Sequence, residues 1–234
     1  MWVATFEGKG SVDLLEFKIH CAIFLRQRAV EPFPFPNEVY PADWFAPLEV
    51  DDWFDAPAHP LEIDLGCGDG SFLAKMGQQY PDRNFLGVER LLGRCRKVWK
   101  KADVAGLKNV KILRLDTNYA VKWLLPKARI SRLHFLCPDP WPKKKHASRR
   151  QMCRIDFLRS IHDLLDEDGE FLFKTDSLEY FEEASEVQNC CDFFTVVDWN
   201  ENDFYYPVTD FEQQWLDEGR TMNRMRLVKK QPDG

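Results

Sequence analysis

The stretch LEIDLGCGDG, residues 61–70, decides the fold of this chain. Its first five residues are typical of a short buried strand, and its second half has glycine at alternate positions: Gly66, Gly68 and Gly70. Glycine lets the backbone turn sharply and approach a ligand closely. A helical pattern follows directly at Ser71–Tyr80. The stretch therefore predicts a strand, a tight loop and a helix, which together begin a βαβ unit.

Strand and helix patterns alternate along the rest of the chain. Further strands are predicted at 84–88, 110–115, 131–137 and 170–175, and helices at 90–103, 117–125, 148–166 and 177–189. We expect Gly169 to end the helix 148–166, and 196–199 and 222–228 to form a closing strand pair. This alternation predicts a Rossmann-like α/β fold, with a mostly parallel seven-stranded sheet and helices on both faces. Ligands of such sheets bind at the carboxyl ends of the strands.

Residues 1–60 differ in composition from the rest of the chain. They are rich in proline and aromatic residues, and they predict an N-terminal arm with one or two short elements around 12–27. We therefore divide the 234 residues into an arm, 1–60, and one domain, 61–234. No run approaches the roughly 18 apolar residues of a membrane span, and the N-terminus lacks a secretory pattern. We expect a cytoplasmic protein with no membrane partner.

The cysteines and histidines indicate neither a disulfide framework nor a metal site. Seven cysteines are present, none of them in a CxxC pair, and no His/Cys cluster has zinc-ligand spacing. An odd, scattered set of this kind is typical of free thiols in a reducing compartment.

Acidic residues lie at the ends of the first three predicted strands. Glu62 and Asp64 precede the glycines, Glu89 ends the second strand and Asp116 ends the third. A nicotinamide fingerprint needs glycine at position 71, where this chain has serine. A carboxylate after the second strand can accept both hydroxyls of a ribose. The set favours a nucleoside without phosphate and with cationic groups, such as S-adenosylmethionine. For Glu62 and Asp64, a purely structural role is the alternative.

A second informative stretch is PDPWPKKKHASRR, residues 138–150. Its three prolines stiffen the turn that carries Asp139 and Trp141. A carboxylate and an indole on a stiff turn can bind a flat polar ring, although Trp141 could equally only pack the turn. The basic side chains that follow can bind phosphates: Lys143, Lys144, Lys145, Arg149 and Arg150.

The distribution of charge supports a local phosphate-binding surface. The net charge is −6, yet residues 90–101 carry six basic side chains and no acid, whereas 160–220 carry 18 acids and two basic residues. Concentrated positive charge of this kind is typical of nucleic-acid binding. Four cations at helical spacing could extend the surface, with a solvated helix face as the alternative: Arg90, Arg94, Lys97 and Lys101.

Together with Thr175-Asp176 and the segment Thr209-Asp210-Phe211-Glu212, these motifs resemble the bacterial tRNA (guanine-N7)-methyltransferase family over residues 61–228. The resemblance implies a class I methyltransferase fold. It also implies methyl transfer from S-adenosylmethionine to N7 of the guanine at variable-loop position 46 of tRNA. The chain departs from the family pattern at Asp64, near which members commonly carry glycine.

The resemblance implies roles for Glu62, Glu89, Asp116 and Asp139 at the cofactor and for Lys143, Asp176 and residues 209–212 at the tRNA, and the glycine loop and the basic stretch add the other candidates. Asp139 is the expected catalytic residue. The candidate cofactor-binding residues are Glu62, Asp64, Gly66, Gly68, Gly70, Glu89, Asp116 and Asp139. The candidate substrate-binding residues are Lys143, Lys144, Lys145, Arg149, Arg150, Asp176, Thr209, Asp210, Phe211 and Glu212. For the segment 209–212, capping of a helix at 211–217 is the alternative.

Two other functions are compatible with the sequence. Methyltransferases of exocyclic amines usually carry Asp/Asn-Pro-Pro-aromatic, whereas here Asp139 is followed by one proline and then Trp141. A non-catalytic tRNA-binding protein is the second alternative, and a broken glycine loop would be its expected mark. We expect tRNA as the partner, no obligate protein partner, and a monomer or a homodimer.

Overall fold

The structure, a computed structural model, describes residues 37–200 and 202–230, apart from the side chains of Lys144, Ala147 and Phe211. The short elements predicted around 12–27 lie outside the described residues. The described residues belong to one compact unit, 36–234. Among them, no helix combines the length and the apolar character needed to cross a bilayer.

Within the described residues, eight strands form one mostly parallel sheet. The strands are β1 (Glu38–Val39), β2 (Leu61–Leu65), β3 (Asn84–Glu89), β4 (Val110–Arg114), β5 (Ile130–Leu136), β6 (Leu165–Thr175), β7 (Phe194–Val197) and β8 (Asn223–Lys229). Their order across the sheet is β1-β4-β3-β2-β5-β6-β8-β7. The pairs from β1 to β6 are parallel, and β8 is antiparallel to both β6 and β7.

Helices cover both faces of this sheet, as the sequence predicts. They are α1 (Ser71–Gln79), α2 (Leu92–Val104), α3 (Thr117–Tyr119, continued by a π-helical turn at Ala120–Leu124), α4 (Ile155–Leu164), α5 (Leu178–Asn189) and α6 (Asp210–Asp217). One apolar cluster joins α1 and α2 to the sheet, and a separate cluster joins α3, α4 and α5 to it. The alternating pattern and the closing strand pair are therefore confirmed.

The structure corrects the number of strands and the length of one helix. The eighth strand is β1, which pairs with Ile112 and Leu113 of β4 and is too short to show a period in the sequence. The helix predicted at 148–166 begins only at Ile155, because the backbone is extended at Arg150 and Arg154. Residues 144–149 and 151–153 form 3-10 turns instead.

Gly169 lies inside β6 and does not end a helix. β6 begins at Leu165, immediately after α4. A side chain at position 169 would come within 2.9 Å of the carbonyl oxygen of Ile130 on the neighbouring strand. The glycine is therefore required by the close approach of two backbones rather than by a helix end.

Residues 37–60, which composition assigns to the arm, pack into the core of the domain. Val39, Leu48, Val50 and Phe54 are buried in the same apolar cluster as the central strands. The backbone N–H of Leu48 donates to the carbonyl of Leu124 at 2.8 Å. This part of the chain supports the end of the π-helical turn.

Candidate active site

Two adjoining cavities open at the carboxyl ends of the central strands. The smaller has a volume of about 300 Å³ and the larger about 600 Å³. Gly66, Arg94 and the segment 136–139 line both. The chain runs from β2 through β3 to β4 on one side and then crosses to β5 on the other. The loops after β2 and β5 diverge at this reversal and leave a crevice for ligands.

The glycine loop after β2 has the backbone that its sequence predicts. The φ angles of Gly66, Gly68 and Gly70 are 77°, 58° and 77°, a region that side chains disfavour. A side chain at Gly66 would meet no atom within 4 Å, whereas one at Gly70 would lie 2.8 Å from the methyl groups of Val98. Gly66 thus keeps the cavities open, and Gly70 lets α2 pack against the start of α1.

Glu89 and Asp116 line the larger cavity, at the ends of β3 and β4. Glu89 Oε1 accepts from the backbone N–H of Leu91 at 2.7 Å. Asp116 Oδ1 accepts from the backbone N–H groups of Asn118 and Tyr119 at 3.0 and 3.3 Å and caps α3. These bonds fix the direction of both carboxyl groups at the wall of the cavity. The two acids are in the positions expected for a nucleoside site.

Asp64 lines the smaller cavity from a buried position, with only 2% of its surface exposed. Burial, together with the nearby charge of Glu89, raises the pKa of Asp64 to about 8. Both effects disfavour a second negative charge beside Glu89. A cationic ligand arriving in the cavity would favour the ionised form.

Glu62 lines neither cavity. Its fully buried carboxylate interacts with Arg83 at 2.8 Å, with His134 Nε2 at 2.9 Å and with Arg132 at 3.5 Å. Burial raises the pKa of Glu62, but the His134 hydrogen bond and the two arginine charges outweigh it, so the net shift is downward. The structure favours the alternative role for Glu62, in which it ties β2 to β5, over contact with a cofactor.

The PDPW loop, residues 138–141, is held in an unusual backbone conformation. The residues on either side of its Pro-Asp-Pro core, Cys137 and Trp141, have φ angles of 47° and 44°. Side chains rarely adopt this region, so the surrounding structure must hold the loop in place. Asp139 is exposed at its tip and lines both cavities.

Arg150 is hydrogen-bonded to the backbone of this loop. Its predicted role in phosphate binding is therefore corrected. Its Nε donates to the carbonyl of Pro140 at 2.7 Å and its Nη2 to that of Trp141 at 3.3 Å. The guanidinium also pairs with Glu183 at 2.8 Å and Glu179 at 3.2 Å. Only 1% of Arg150 is exposed. A cation that is buried and fully bonded in this way cannot reach a phosphate.

The other basic residues of the stretch lie on the surface. Lys143, Lys145 and Arg149 are exposed, and the side chain of Lys144 lies outside the described part of the structure. The guanidinium of Arg149 lies 4.7 Å from the centre of the Trp141 ring. That ring lines the larger cavity and not the smaller one. Trp141 thus contacts Arg149 and also presents its ring to the larger cavity, and its stacking on a base stays a prediction.

The far wall of the smaller cavity comes from distant parts of the chain. It contains Asp176, Thr209 and Asp210, as well as two residues that no motif in the sequence indicates, Trp215 and Arg220. Arg220 pairs with Asp176 at 2.9 Å, and its guanidinium lies 4.0 Å from the centre of the Trp215 ring. A flat ring entering this cavity would meet an indole, a guanidinium and two carboxylates.

The segment 209–212 serves both of its predicted roles in part. Thr209 lines the cavity and also caps α6, because its Oγ1 accepts from the backbone N–H of Glu212 at 2.9 Å. Glu212 is only 5% exposed, and its Oε1 accepts from Lys174 at 2.7 Å. Its predicted contact with the substrate is corrected, because this carboxylate points into the protein. The side chain of Phe211 is outside the described part.

Asp210 is joined to the start of α1. Ser71 Oγ donates to Asp210 Oδ2 at 2.7 Å, and Lys101 binds both Ser71 and Asp69. Burial raises the pKa of Asp69, but the hydrogen bond from Lys101 and those from Ser71 outweigh it, so the net shift is downward. The sequence indicated this group of side chains only through Ser71, which stands where a nicotinamide fingerprint has its third glycine.

The four cations predicted at helical spacing have different surroundings, and Arg90 precedes α2 whereas Arg94, Lys97 and Lys101 lie on it. Lys101 turns toward the glycine loop, and Arg94 lines both cavities. Arg90 lines only the larger cavity. Lys97 is exposed, and the extension of the phosphate-binding surface along this helix stays a prediction.

Comparison with known proteins adds a family and a fold. A family model described as "Putative methyltransferase" matches residues 58–225. The chain is 31% identical over 192 residues to the tRNA (guanine-N(7)-)-methyltransferase of Thermotoga maritima, covering 82% of the chain and 58% of the relative. It is 32% identical over 169 residues to that of Aquifex aeolicus, covering 72% and 56%. The chain thus spans slightly more than half the length of these two relatives.

A shorter relative is matched over most of its length. The tRNA (guanine-N(7)-)-methyltransferase of Staphylococcus epidermidis is 33% identical over 183 residues, which cover 76% of the chain and 83% of the relative. Among solved structures, the 16S rRNA methyltransferase KamB has a TM-score of 0.53 at 17% identity, covering 78% of this chain and 91% of that one. The 16S rRNA (adenine(1408)-N(1))-methyltransferase of Catenulisporales acidiphilia has a TM-score of 0.53 at 12% identity, with coverages of 84% and 94%. These structures show that the fold is that of class I methyltransferases.

Proposed function

The chain belongs to the tRNA (guanine-N(7)-)-methyltransferase family, and on that premise we propose that it transfers a methyl group from S-adenosylmethionine to N7 of guanine in tRNA, at variable-loop position 46. One observation carries the proposal. The two cavities share a border at which Gly66 and Asp139 line both. A donor held along the larger cavity and a base entering the smaller one would meet beside Asp139.

The residues of the larger cavity suit S-adenosylmethionine. When bound, this cofactor supplies a methyl group that is activated by a positively charged sulfur. Glu89 and Asp116 present carboxylates to the cavity, and the open backbone at Gly66 permits close approach. Carboxylates attract a cationic ligand, whereas they would repel the negative charge of a pyrophosphate. We propose that Gly66, Glu89, Asp116 and Asp139 of this cavity hold the cofactor, together with Asp64 and Gly68 of the smaller cavity.

The chemistry requires positioning more than proton transfer. Guanine N7 has a free lone pair in the plane of the ring, so no proton has to be removed before it attacks and no strong general base is needed. Alignment of the reacting atoms can contribute up to roughly 7–11 kcal/mol in the most favourable cases. The stiff PDPW loop, held by Arg150, is suited to fix Asp139 for that purpose.

Asp139 and Asp176 can select guanine and stabilise the reaction. They line the smaller cavity together, and a carboxylate there can accept from N1–H and the N2 amino group of guanine. Adenine does not offer this pair of donors. Methylation makes the purine cationic, so its hydrogen bonds to a fixed carboxylate strengthen as the reaction proceeds. Arg220 binds Asp176 Oδ2 and thereby orients this second acid.

The exposed cations next to the loop are proposed to bind the tRNA backbone. Lys143, Lys145 and Arg149 lie on the surface beside Asp139. Phosphate contacts of this kind position a nucleic acid without reading its sequence. The proposed substrate places the activity in the cytoplasm, and the protein would act as a monomer or a homodimer without an obligate partner.

Nucleoside analysis tests the proposal. Unmodified tRNA transcript is incubated with the protein and methyl-labelled S-adenosylmethionine, digested, and analysed by mass spectrometry. The expected product is 7-methylguanosine at position 46, and a transcript with adenine at that position should remain unlabelled. A label on an exocyclic amine would instead indicate the amine-methylating alternative. Binding of tRNA without any transfer would indicate the non-catalytic one.

A further inference from the structure

The walls of the two cavities are strongly acidic, yet the proposed cofactor carries one anion. Seven carboxyl side chains line the cavities: Asp64, Asp69, Glu89, Asp116, Asp139, Asp176 and Asp210. They suit the ammonium and sulfonium groups of S-adenosylmethionine. The carboxylate of its methionine part would be repelled by the same walls. A cofactor bound along the glycine loop therefore needs a cation beside that loop.

Four arginines of the described structure line the cavities, and three of them are poorly placed for this purpose. Arg149 lines only the larger cavity and Arg220 only the smaller one. Arg90 directly follows Glu89 and lines only the larger cavity. Arg94 lines both cavities, as Gly66 does. Of these four arginines, Arg94 is the one that lies at the border of the two cavities.

The packing of α2 explains why Arg94 reaches this point. Val98 of the same helix packs against Gly70, and Lys101 binds Asp69. Residues four apart lie on the same face of a helix, so Arg94 projects over the glycine loop one turn before Val98. Its Nη1 lies 3.6 Å from Glu89 Oε2, and 44% of its side chain is exposed. The guanidinium therefore lies beside Glu89, and part of the side chain is exposed where the two cavities meet.

We propose that Arg94 binds the carboxylate of the methionine part of S-adenosylmethionine and thereby sets the direction of the cofactor across the two cavities. The inference rests on the proposed function, because it assumes that cofactor. A guanidinium presents its N–H donors in a planar fork that matches a carboxylate. The pairing also neutralises the single anion of the ligand among acidic walls.

Two ligands that differ only in the carboxylate test the proposal. Isothermal titration compares S-adenosylhomocysteine with its decarboxylated analogue, S-adenosyl-3-thiopropylamine. The native protein should bind the first about 10- to 100-fold more tightly, the range expected for a charge-assisted hydrogen bond. Arg94→Ala should lose this preference while binding the decarboxylated analogue as the native protein does. Arg94→Lys should retain part of the preference.

Lys100→Ala is the matched control, because it removes one positive charge from the same helix at an exposed position that lines neither cavity. It should keep the native ratio of the two affinities. Unchanged binding of the decarboxylated analogue by Arg94→Ala also shows that this variant is folded.

Each other result has a definite meaning. A native protein that binds neither ligand would contradict the proposed function itself. If the native protein binds both ligands equally, or if Arg94→Ala keeps the preference, the carboxylate is not held by Arg94. An equal loss for both ligands would show that Arg94 acts only by orienting Glu89, and that result would also overturn the inference.

Discussion

Replacing Asp139 by asparagine should slow methyl transfer while leaving the fold intact. The side chain is exposed at the tip of the PDPW loop and lines both cavities, so the change removes one negative charge from the proposed reaction centre with almost no change in volume. A charge-assisted hydrogen bond contributes about 1.5–3 kcal/mol. If Asp139 forms such a bond more strongly in the transition state, the rate should fall about 10- to 100-fold.

The assay is a single-turnover measurement of labelled methyl transfer to tRNA at saturating cofactor, which separates the chemical step from binding and product release. The free energy of unfolding from a urea melt should remain within about 0.5 kcal/mol of the native value, since the substitution is on the surface. Asp82→Asn is the control, because Asp82 is an exposed acid that lines neither cavity. A folded Asp139→Asn protein with the native single-turnover rate would refute the role assigned to Asp139.

The remaining predictions concern the loop, the tRNA surface and the buried acid. Arg150→Met should lower the free energy of unfolding by about 1–3 kcal/mol in a urea melt, because loop carbonyls lose a buried donor. Lys143→Ala and Lys145→Ala should each reduce the slope of log affinity for tRNA against log salt by about 0.7–0.9 in filter binding. The pKa of Asp64 is raised from 3.8 to about 8, so the native state binds its proton more tightly than the unfolded state does. The stability that this group contributes is complete below pH 3.8 and is lost as the pH rises to about 8. Asp64→Asn should therefore weaken the dependence of the free energy of unfolding on pH across that range.

Each of these has a result that contradicts it. An Arg150→Met protein of native stability would show that the loop does not depend on this residue. If the lysine variants keep the native slope of log affinity against log salt, Lys143 and Lys145 do not contact the tRNA phosphates. If Asp64→Asn and the native protein lose stability equally between pH 4 and pH 8, the buried carboxyl is not the titrating group.

Local sequence was sufficient for the alternation of strands and helices and for the edge of the sheet at which the cavities open. The unit of β2, glycine loop and α1 follows from apolar periodicity and from three glycines whose φ angles are all positive. These signals act between residues close in sequence, so they can be interpreted without the tertiary structure. Because parallel strands point their carboxyl ends to one edge, Glu89, Asp116 and Asp139 were expected to meet, and they line the same cavity.

The direction of individual side chains could not be determined in this way. Glu62 and Asp64 are two residues apart on one strand and face the same side. Asp64, nearer the carboxyl end, reaches a cavity, while Glu62 meets Arg83, Arg132 and His134. Nothing in their residue type distinguishes them, because the partners of Glu62 come from other strands and loops.

Partners from distant segments also decide which residues of the basic stretch are exposed and which residues form the cavity wall. Lys143 and Arg150 have the same charge, yet α5 supplies the acids that bury Arg150 and leaves Lys143 in solvent. Ser71 and Asp210 form a hydrogen bond across 139 positions of sequence. The amino-acid sequence therefore determined the sheet, its ligand-binding edge and the chemical types of residue gathered there. Which of these side chains face the cavities depends on contacts between distant segments, and those form only when the whole chain packs.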